Sequence, residues 1–375
     1  MNVKALFLLG VVWGWMACGG AGSRSEQALS YVSDSLTYAR GFRIERADAY
    51  TLVSVRNPWD TTRMLHRYVL VPSDRPLPEG LPEGTLLRTP LQRVLAFSSV
   101  HCGMLDFLQA DQTLVGVCES RYVNIPHLQQ RLQQGEIVDV GDANAPNIER
   151  IIELAPEALI TTPLEGISYG RVEKIGIPLL ETTDYMELTP LGRAEWIRFY
   201  GLIFGREALA DSLFAVTAKA YNELKTKASG VNDRPKLLPE HKIGSAWYIP
   251  GGKSYIANLY RDAGADYPWS DNELSGSIPM SFEHVLERAA DADVWVFKYN
   301  RPQNMTYADL EDEYGGYVRF APFRNRKVYA CNTHTTPYYE DIPIHPDYVL
   351  ADMVWVLHPE LMPEYTSRYF HKMQE

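Results

Sequence analysis

The residues best suited to hold a ligand are aromatic, and they recur just after short apolar runs. Trp247 and Tyr248 precede the turn "IPGGKSY", which carries Lys253 and Tyr255. Tyr122, Tyr169, Tyr185, Tyr267, Trp269 and Tyr299 occupy comparable positions elsewhere. An aromatic pair before a Gly-Gly turn offers flat faces beside a flexible backbone, as a large planar or macrocyclic ligand requires. Arg121 and Lys253 add cationic handles for carboxylates, and His101 adds an imidazole able to ligate a metal. The expected chemistry is binding. A catalytic site needs a nucleophile with its base, or paired carboxylates. No HExxH, GxGxxG or Walker loop occurs, and the chain is expected to be no enzyme and to need no cofactor.

Placing these residues in one cleft requires a particular scaffold. From Gln92 the chain alternates short apolar strands with helices: "RVLAF", "MLDFLQA", "TLVGV", "EIVDVG", "IERIIELA", "EALIT" and "IPLLET". That rhythm predicts a parallel, doubly wound sheet. A second alternating set runs from "KIGSAWYI" to "PDYVLADMVWVLHPEL". Between the two sets lies a long helical pattern with Leu209, Leu213, Val216, Ala220 and Leu224 as its apolar face. The fold class is therefore α/β: two doubly wound lobes, 91–190 and 231–375, joined by helices at 191–230. In open α/β sheets ligands bind outside the carboxyl ends of the strands. Two such lobes facing each other would bring the aromatic loops to one cleft. Residues 30–90 alternate apolar and polar residues and contain the break "PSDRPLPEGLPEGT", so a β-hairpin extension is expected there.

One motif occurs twice. "NIERIIELAPEA" at 147–158 and "SFEHVLERAADA" at 281–292 each open on a helix-capping residue, Asn147 or Ser281, about 134 positions apart. Each carries a glutamate in the first turn, Glu149 or Glu283, where the helix dipole favours negative charge. One copy falls in each lobe, so the chain is expected to be pseudo-symmetric.

Bulk properties narrow the partners. The 375 residues are 46% hydrophobic and 22% charged, with 23 Tyr and 8 Trp, which suits a globular protein of about two domains. A formal charge of −11 disfavours nucleic acid. Lys4, the apolar "ALFLLGVVWGW" and the small-residue "MACGG" make residues 1–17 a targeting segment, and 18–29 a flexible tether. This start resembles a bacterial lipoprotein signal, which implies lipidation at Cys18; an ordinary secretory signal is the alternative. Export puts Cys102, Cys118 and Cys331 in an oxidising compartment, where a Cys102–Cys118 disulfide is left open.

The stretches "RVLAFSSVHCGMLDFLQADQTLVGV", "VGDANAPNIERIIELAPEALIT" and "GSIPMSFEHVLERAADADVWVF", in this order around one connecting helix, resemble the helix-hinged periplasmic substrate-binding proteins of ABC importers. That group captures vitamin B12, haem and iron-siderophores. The resemblance covers about residues 92–372, and the "NPW" preamble resembles versions from Bacteroidetes-type bacteria. It implies a lipid-anchored periplasmic monomer that binds a metal chelate or macrocycle. It also implies an inner-membrane permease whose arginines meet Glu149 and Glu283. A binding protein for free zinc or manganese is the alternative. It would need several His, Asp or Glu side chains in the cleft, where His101 alone is expected. The carboxyl-terminal His334, Glu340, Asp341, His345 and Asp347 match no metal-ligand spacing. A structural surface lipoprotein is a third reading.

Overall fold

The computed structural model describes residues 31–375. Residues 1–30, with the targeting segment, Cys18 and the tether, lie outside the described residues. The amino-terminal region is a five-stranded sheet in the order β1 (Val32–Ser33), β2 (Phe42–Arg46), β3 (Thr51–Arg56), β4 (Met64–Pro72) and β5 (Thr85–Thr89). The expected hairpin is thus enlarged, because the chain returns after the Pro/Gly-rich break and pairs β5 in parallel with β4. One face packs Phe42, Ile44, Val53, Val55 and Tyr68 into the core of the first lobe.

The first lobe runs β6 (Val94–Ala96), α1 (Ser99–Phe107), β7 (Leu114–Val117), α2 (Pro126–Gln133), β8 (Val138–Asp139), α3 (Ile148–Leu154), β9 (Ala158–Thr161) and β10 (Leu179–Glu181). Its sheet has the order β10-β9-β6-β7-β8, and every pairing is parallel. β6 and β9 are buried along their whole length, as unbroken apolar runs in a parallel sheet should be.

Three helices join the lobes: α4 (Pro190–Ala194), α5 (Ile197–Ile203) and α6 (Glu207–Ser229). α6 has 23 residues and so spans roughly 35 Å. Its inward face is Ala210, Phe214, Thr217, Tyr221 and Ala228. This corrects the expected stripe: Val216 is 66% exposed, and Leu213 and Leu224 form a half-buried flank. Contact with α5 and with the helix Pro346–Leu357 sets the face about one position from the apolar spacing.

The second lobe contains β11 (Leu237–Pro239), β12 (Lys242–Ile243), β13 (Ala246–Pro250), α7 (Tyr255–Asp262), β14 (Ser277–Met280), α8 (Phe282–Ala289), β15 (Val294–Tyr299), α9 (Tyr307–Glu313), α10 (Ala321–Arg324), β16 (Val328–Asn332), α11 (Tyr338–Asp341), α12 (Pro346–Leu357) and β17 (His371–Lys372). Its main sheet is β11-β15-β16-β17, parallel except for β17. A separate antiparallel sheet, β12-β13-β14, holds "KIGSAWYI". The lobe therefore opens on β11, a short run flanked by Pro235 and ending in Pro239, and not on "KIGSAWYI" as expected.

The two acidic helices occupy equivalent places. β9, which follows α3, pairs in parallel with β6 on one side and β10 on the other. β15, which follows α8, pairs in parallel with β11 and β16. A parallel bridge from Lys236 to Asp266 lies beyond β11 where β7 lies beyond β6. The symmetry breaks where β12 and β13 are inserted between β11 and α7. Asn147 accepts the Arg150 N–H at 3.0 Å, and Ser281 accepts the His284 N–H at 3.3 Å, so both helices start on a side-chain cap.

The amino-terminal segment is fastened to the joint between the lobes. Glu195, fully buried, accepts the backbone N–H groups of Thr37, Tyr38 and Ala39 at 2.9, 2.7 and 2.8 Å. Glu187 accepts those of Arg40 and Gly41 at 2.9 and 2.8 Å, and the Trp196 indole N–H at 2.9 Å. Five consecutive amides thus surround two carboxylates, which satisfies charges that burial would otherwise penalise.

Candidate functional site

The carboxyl ends of the central strands of both lobes meet at a cavity of about 760 Å³. The first lobe contributes Phe97 to Val100, where β6 passes into α1, and Cys118, Glu119, Tyr122 and Asn124 after β7. Ser98 caps α1 by accepting the Val100 N–H at 3.2 Å, so the positive end of that helix opens on the cavity. The second lobe contributes His241 and Ile243 after β11, Lys298 to Arg301 at the end of β15, and Glu313, Thr333 and Tyr339. This is the strand-end placement that open α/β sheets dictate.

Its floor ties the lobes together. Asn124 donates its backbone N–H to Glu340 Oε1 at 2.7 Å and its side-chain amide to the Thr333 carbonyl at 3.0 Å. α1 lies so close to α11 that a Cβ on Gly103 would strike the Glu340 carbonyl, which is why glycine stands there. Behind the floor, Arg193 pairs with Asp184 at 2.9 Å and donates to the Tyr255 hydroxyl at 2.7 Å.

The charges in the cavity are matched. Burial, the largest single influence, lowers the Lys298 ammonium, but Glu240 and the neighbouring Tyr338, Tyr260 and Tyr339 together hold it well above the ordinary lysine range. Arg301 pairs with Glu313 at 2.8 Å, and Glu119 pairs with Arg121 at 3.0 Å. Burial lowers the His241 imidazole, with Glu313 opposing, so the ring is neutral near pH 7. Its Nε2 lies 3.6 Å from Glu313, and its Nδ1 is buried without a hydrogen-bond partner. The site is a chamber of mixed lining, in which Phe97, Val100, Tyr122, Ile243, Tyr299 and Tyr339 stand among polar side chains, paired charges and the His241 imidazole.

Of the candidates from sequence, Tyr122 and Tyr299 line this cavity, and the Arg121 guanidinium lies 4.7 Å from the Tyr122 ring centre. Others are corrected. Trp247 is fully buried, donates to the Pro239 carbonyl at 3.0 Å and stacks on Trp295 with centroids 5.7 Å apart. Along β13 it alternates inward while Tyr248 faces outward, 45% exposed. Trp269 is buried in the same lobe, and Tyr255 is taken up by Arg193. Lys253 pairs with Glu273 at 3.2 Å outside the cavity lining, and Tyr169 packs beside α3. His101 is fully buried, with Nδ1 2.9 Å from the Tyr200 hydroxyl and Nε2 3.2 Å from Thr162, and burial pushes its pKa down to about 4. Both its nitrogens are used inside the lobe, so it is no cleft ligand.

Sequence reasoning missed His241, Arg301, Glu313 and Tyr339. Arg301 lies two residues beyond Tyr299, the last residue of β15. Tyr339 lies in "HTTPYYEDIP", which was weighed only as a metal-ligand run. Glu149 and Glu283 are both exposed, in the first turns of α3 and α8. Cys102 and Cys118 are free, buried thiols. Among the described residues, Asp106, Asp111 and His127 bring three donor atoms within 4.8 Å of one another at the far end of α1. Arg131 lies 3.4 Å from the same Asp111 carboxylate, so this group is a cluster of ion pairs outside the cavity lining.

The geometry agrees with known proteins. An uncharacterized lipoprotein of Methanocaldococcus jannaschii is 26% identical over 322 residues, covering 82% of this chain and 76% of that protein. A periplasmic heme-binding protein from Pseudomonas aeruginosa superposes with a TM-score of 0.58 at 17% identity, over 76% of this chain and 99% of that one. Helicobacter pylori CeuE, solved with Ni(II) bound, gives a TM-score of 0.58 at 14% identity, over 75% and 88% of the two chains. At such identities the two solved structures attest the fold alone. The sequence profile described as "Periplasmic binding protein" matches residues 102–335, from the first turns of α1 to the loop after β16. Two lobes, a connecting helix and a cleft at the strand ends are thus shared with a family of solute carriers, and the chain belongs to the periplasmic binding protein family.

Proposed function

We propose that the protein captures a metal chelate or macrocycle, of the iron-siderophore, haem or cobalamin kind, in the interlobe cavity and delivers it to an ABC permease. The observation that carries this reading is the cavity of about 760 Å³, whose lining sets the rings of Phe97, Tyr122, Tyr299 and Tyr339 among polar and charged side chains. Sites of roughly 300–1,000 Å³ suit drug-sized ligands, far larger than a bare ion. Tyr122, Tyr299 and Tyr339 offer faces for a planar ligand, and Arg301 and Lys298 stand near its polar groups. The neutral His241 offers a nitrogen to a chelated metal. Lipidation at Cys18 would hold the protein at the outer side of a membrane, close to its permease. A lipoprotein among the sequence relatives and a heme-binding protein of the same fold support this reading.

Capture of free zinc or manganese is the second reading. It is disfavoured because the cavity carboxylates Glu119 and Glu313 are already engaged by Arg121 and Arg301. The test is titration of the purified protein with hemin, cyanocobalamin and a ferric trihydroxamate, read by quenching of tryptophan fluorescence. Saturable one-to-one binding of one of these is expected. No saturable response to any of them, with calorimetric binding of Zn²⁺ or Mn²⁺ alone, would overturn the proposal.

A further inference from the structure

The interlobe cavity carries opposite charges in equal number. Glu119 and Glu313 stand in its lining with Lys298 and Arg301, and each has a counter-charge at hand. Lys298 pairs with Glu240, and Glu119 with Arg121 at 3.0 Å. Arg301 meets Glu313 at 2.8 Å, with both partners in the lining. His241, neutral near pH 7, adds no charge. The amino end of α1 presents about half a positive charge, enough for a carbonyl-type oxygen and short of a full anion. Glu313 does most to set this balance. It is the last residue of α9, where the helix dipole disfavours a carboxylate, so local structure alone does not account for an acid there. Its Oε2 reaches Arg301, and its Oε1 lies 3.6 Å from His241 Nε2. One acid thus engages the arginine and the imidazole of the lining at once. The Arg301 and Glu313 side chains are 43% and 27% exposed, so cargo that fills the cavity strips water from the pair and strengthens it.

We propose that the cavity selects cargo of no net charge, and that Glu313 sets this selection by keeping Arg301 from anionic groups. The inference rests on capture of a chelate in this cavity and narrows its class. Among the described residues, both cations of the lining already have a carboxylate. An anionic ligand entering here must displace Glu313, leaving that carboxylate unpaired beside it, or stay uncompensated itself. Both are costly once water is excluded. A ferric trihydroxamate fits the balance, because three singly charged ligand groups cancel the ferric ion. Cyanocobalamin is likewise neutral. A ferric tricatecholate, with the same metal in an all-oxygen donor set, is triply negative, and hemin carries ionised propionates.

The test titrates the purified protein with ferric trihydroxamate, cyanocobalamin, ferric tricatecholate and hemin, read by quenching of tryptophan fluorescence, with melting temperature as a check on folding. The wild type should bind one of the neutral probes at least about tenfold more tightly than either anionic one. Glu313→Gln, which keeps the shape and drops the charge, should raise affinity for the tricatecholate by at least about tenfold, and added salt should reduce that gain. Loss of packing would instead weaken every probe. Glu313→Ala serves if the glutamine variant melts early. The double variant Glu313→Gln/Arg301→Gln should lose the gain, since the freed guanidinium is what supplies it. Tightest wild-type binding of hemin or the tricatecholate overturns the selection and leaves capture of a chelate standing. A preference unchanged in both Glu313 variants overturns the role of Glu313. Saturable binding of none of the four probes overturns the capture reading and the selection with it.

Discussion

Glu340, in the second lobe, accepts the backbone N–H of Asn124, in the first, at 2.7 Å, directly beneath the cavity. Its Oε2 is buried without a hydrogen-bond partner, and burial raises the carboxyl above its ordinary 4.5. The folded protein therefore holds this proton more tightly than the unfolded chain. The group's stabilisation is complete below 4.5 and is lost as pH rises from there through the raised folded value. Glu340→Gln keeps an oxygen for Asn124 and does not titrate. Its melting temperature should gain on the wild type between about pH 4 and about pH 7. A difference that stays flat across that range would contradict the assigned shift.

Cavity and core aromatics should separate cleanly. Tyr122→Ala and Tyr299→Ala should each weaken whichever of hemin, cyanocobalamin or ferric trihydroxamate binds by about tenfold, with little change in melting. Trp247→Ala should instead destabilise the second lobe by about 3–5 kcal/mol, because it empties a packed aromatic core. Calorimetric melting beside ligand titration distinguishes the two classes. A Tyr122 variant with unchanged affinity would remove that ring from the site.

Replacing His241 tests the nitrogen donor. His241→Ala should weaken an iron or cobalt chelate by about tenfold yet leave the affinity for its metal-free counterpart unchanged, since only the metal meets the ring. Equal losses for both forms would make His241 a packing residue.

The fastening of the amino-terminal segment should be a large stability term. Glu195→Ala would orphan three backbone N–H groups in a fully buried site, at a cost of about 2–4 kcal/mol by chemical denaturation. Glu195→Gln, with one acceptor oxygen left, should lose less. Equal stability of all three proteins would show that the segment is held by other contacts.

Transport and capture should also come apart. In the double variant Glu149→Ala/Glu283→Ala, uptake by cells should fall to background, whereas cleft affinity for the captured chelate stays at the wild-type value. Reduced affinity would place the two carboxylates nearer the ligand than their exposed positions allow.

What could be read from sequence was local. Asn147 and Ser281 announce their helices because a cap needs only neighbouring amides, and the buried strands β6 and β9 announce themselves as unbroken apolar runs. The fate of an individual ring depended on distant partners. His101 meets Tyr200, 99 positions away, and Trp247 meets Trp295, so neither could be assigned from its own surroundings. The inward–outward alternation of Trp247 and Tyr248 was visible, but the Gly-Gly turn after them suggested a loop. β11 was hidden by its prolines, and with it His241, two residues past its end.

The grip of Glu187 and Glu195 on residues 37–41 has a mechanical corollary. A pull on the chain at Tyr31 reaches the pivot of the body through these amides and the first half through β2, whose Phe42 and Ile44 lie in that half's core. Such a load is shared between the fulcrum and one half of the body.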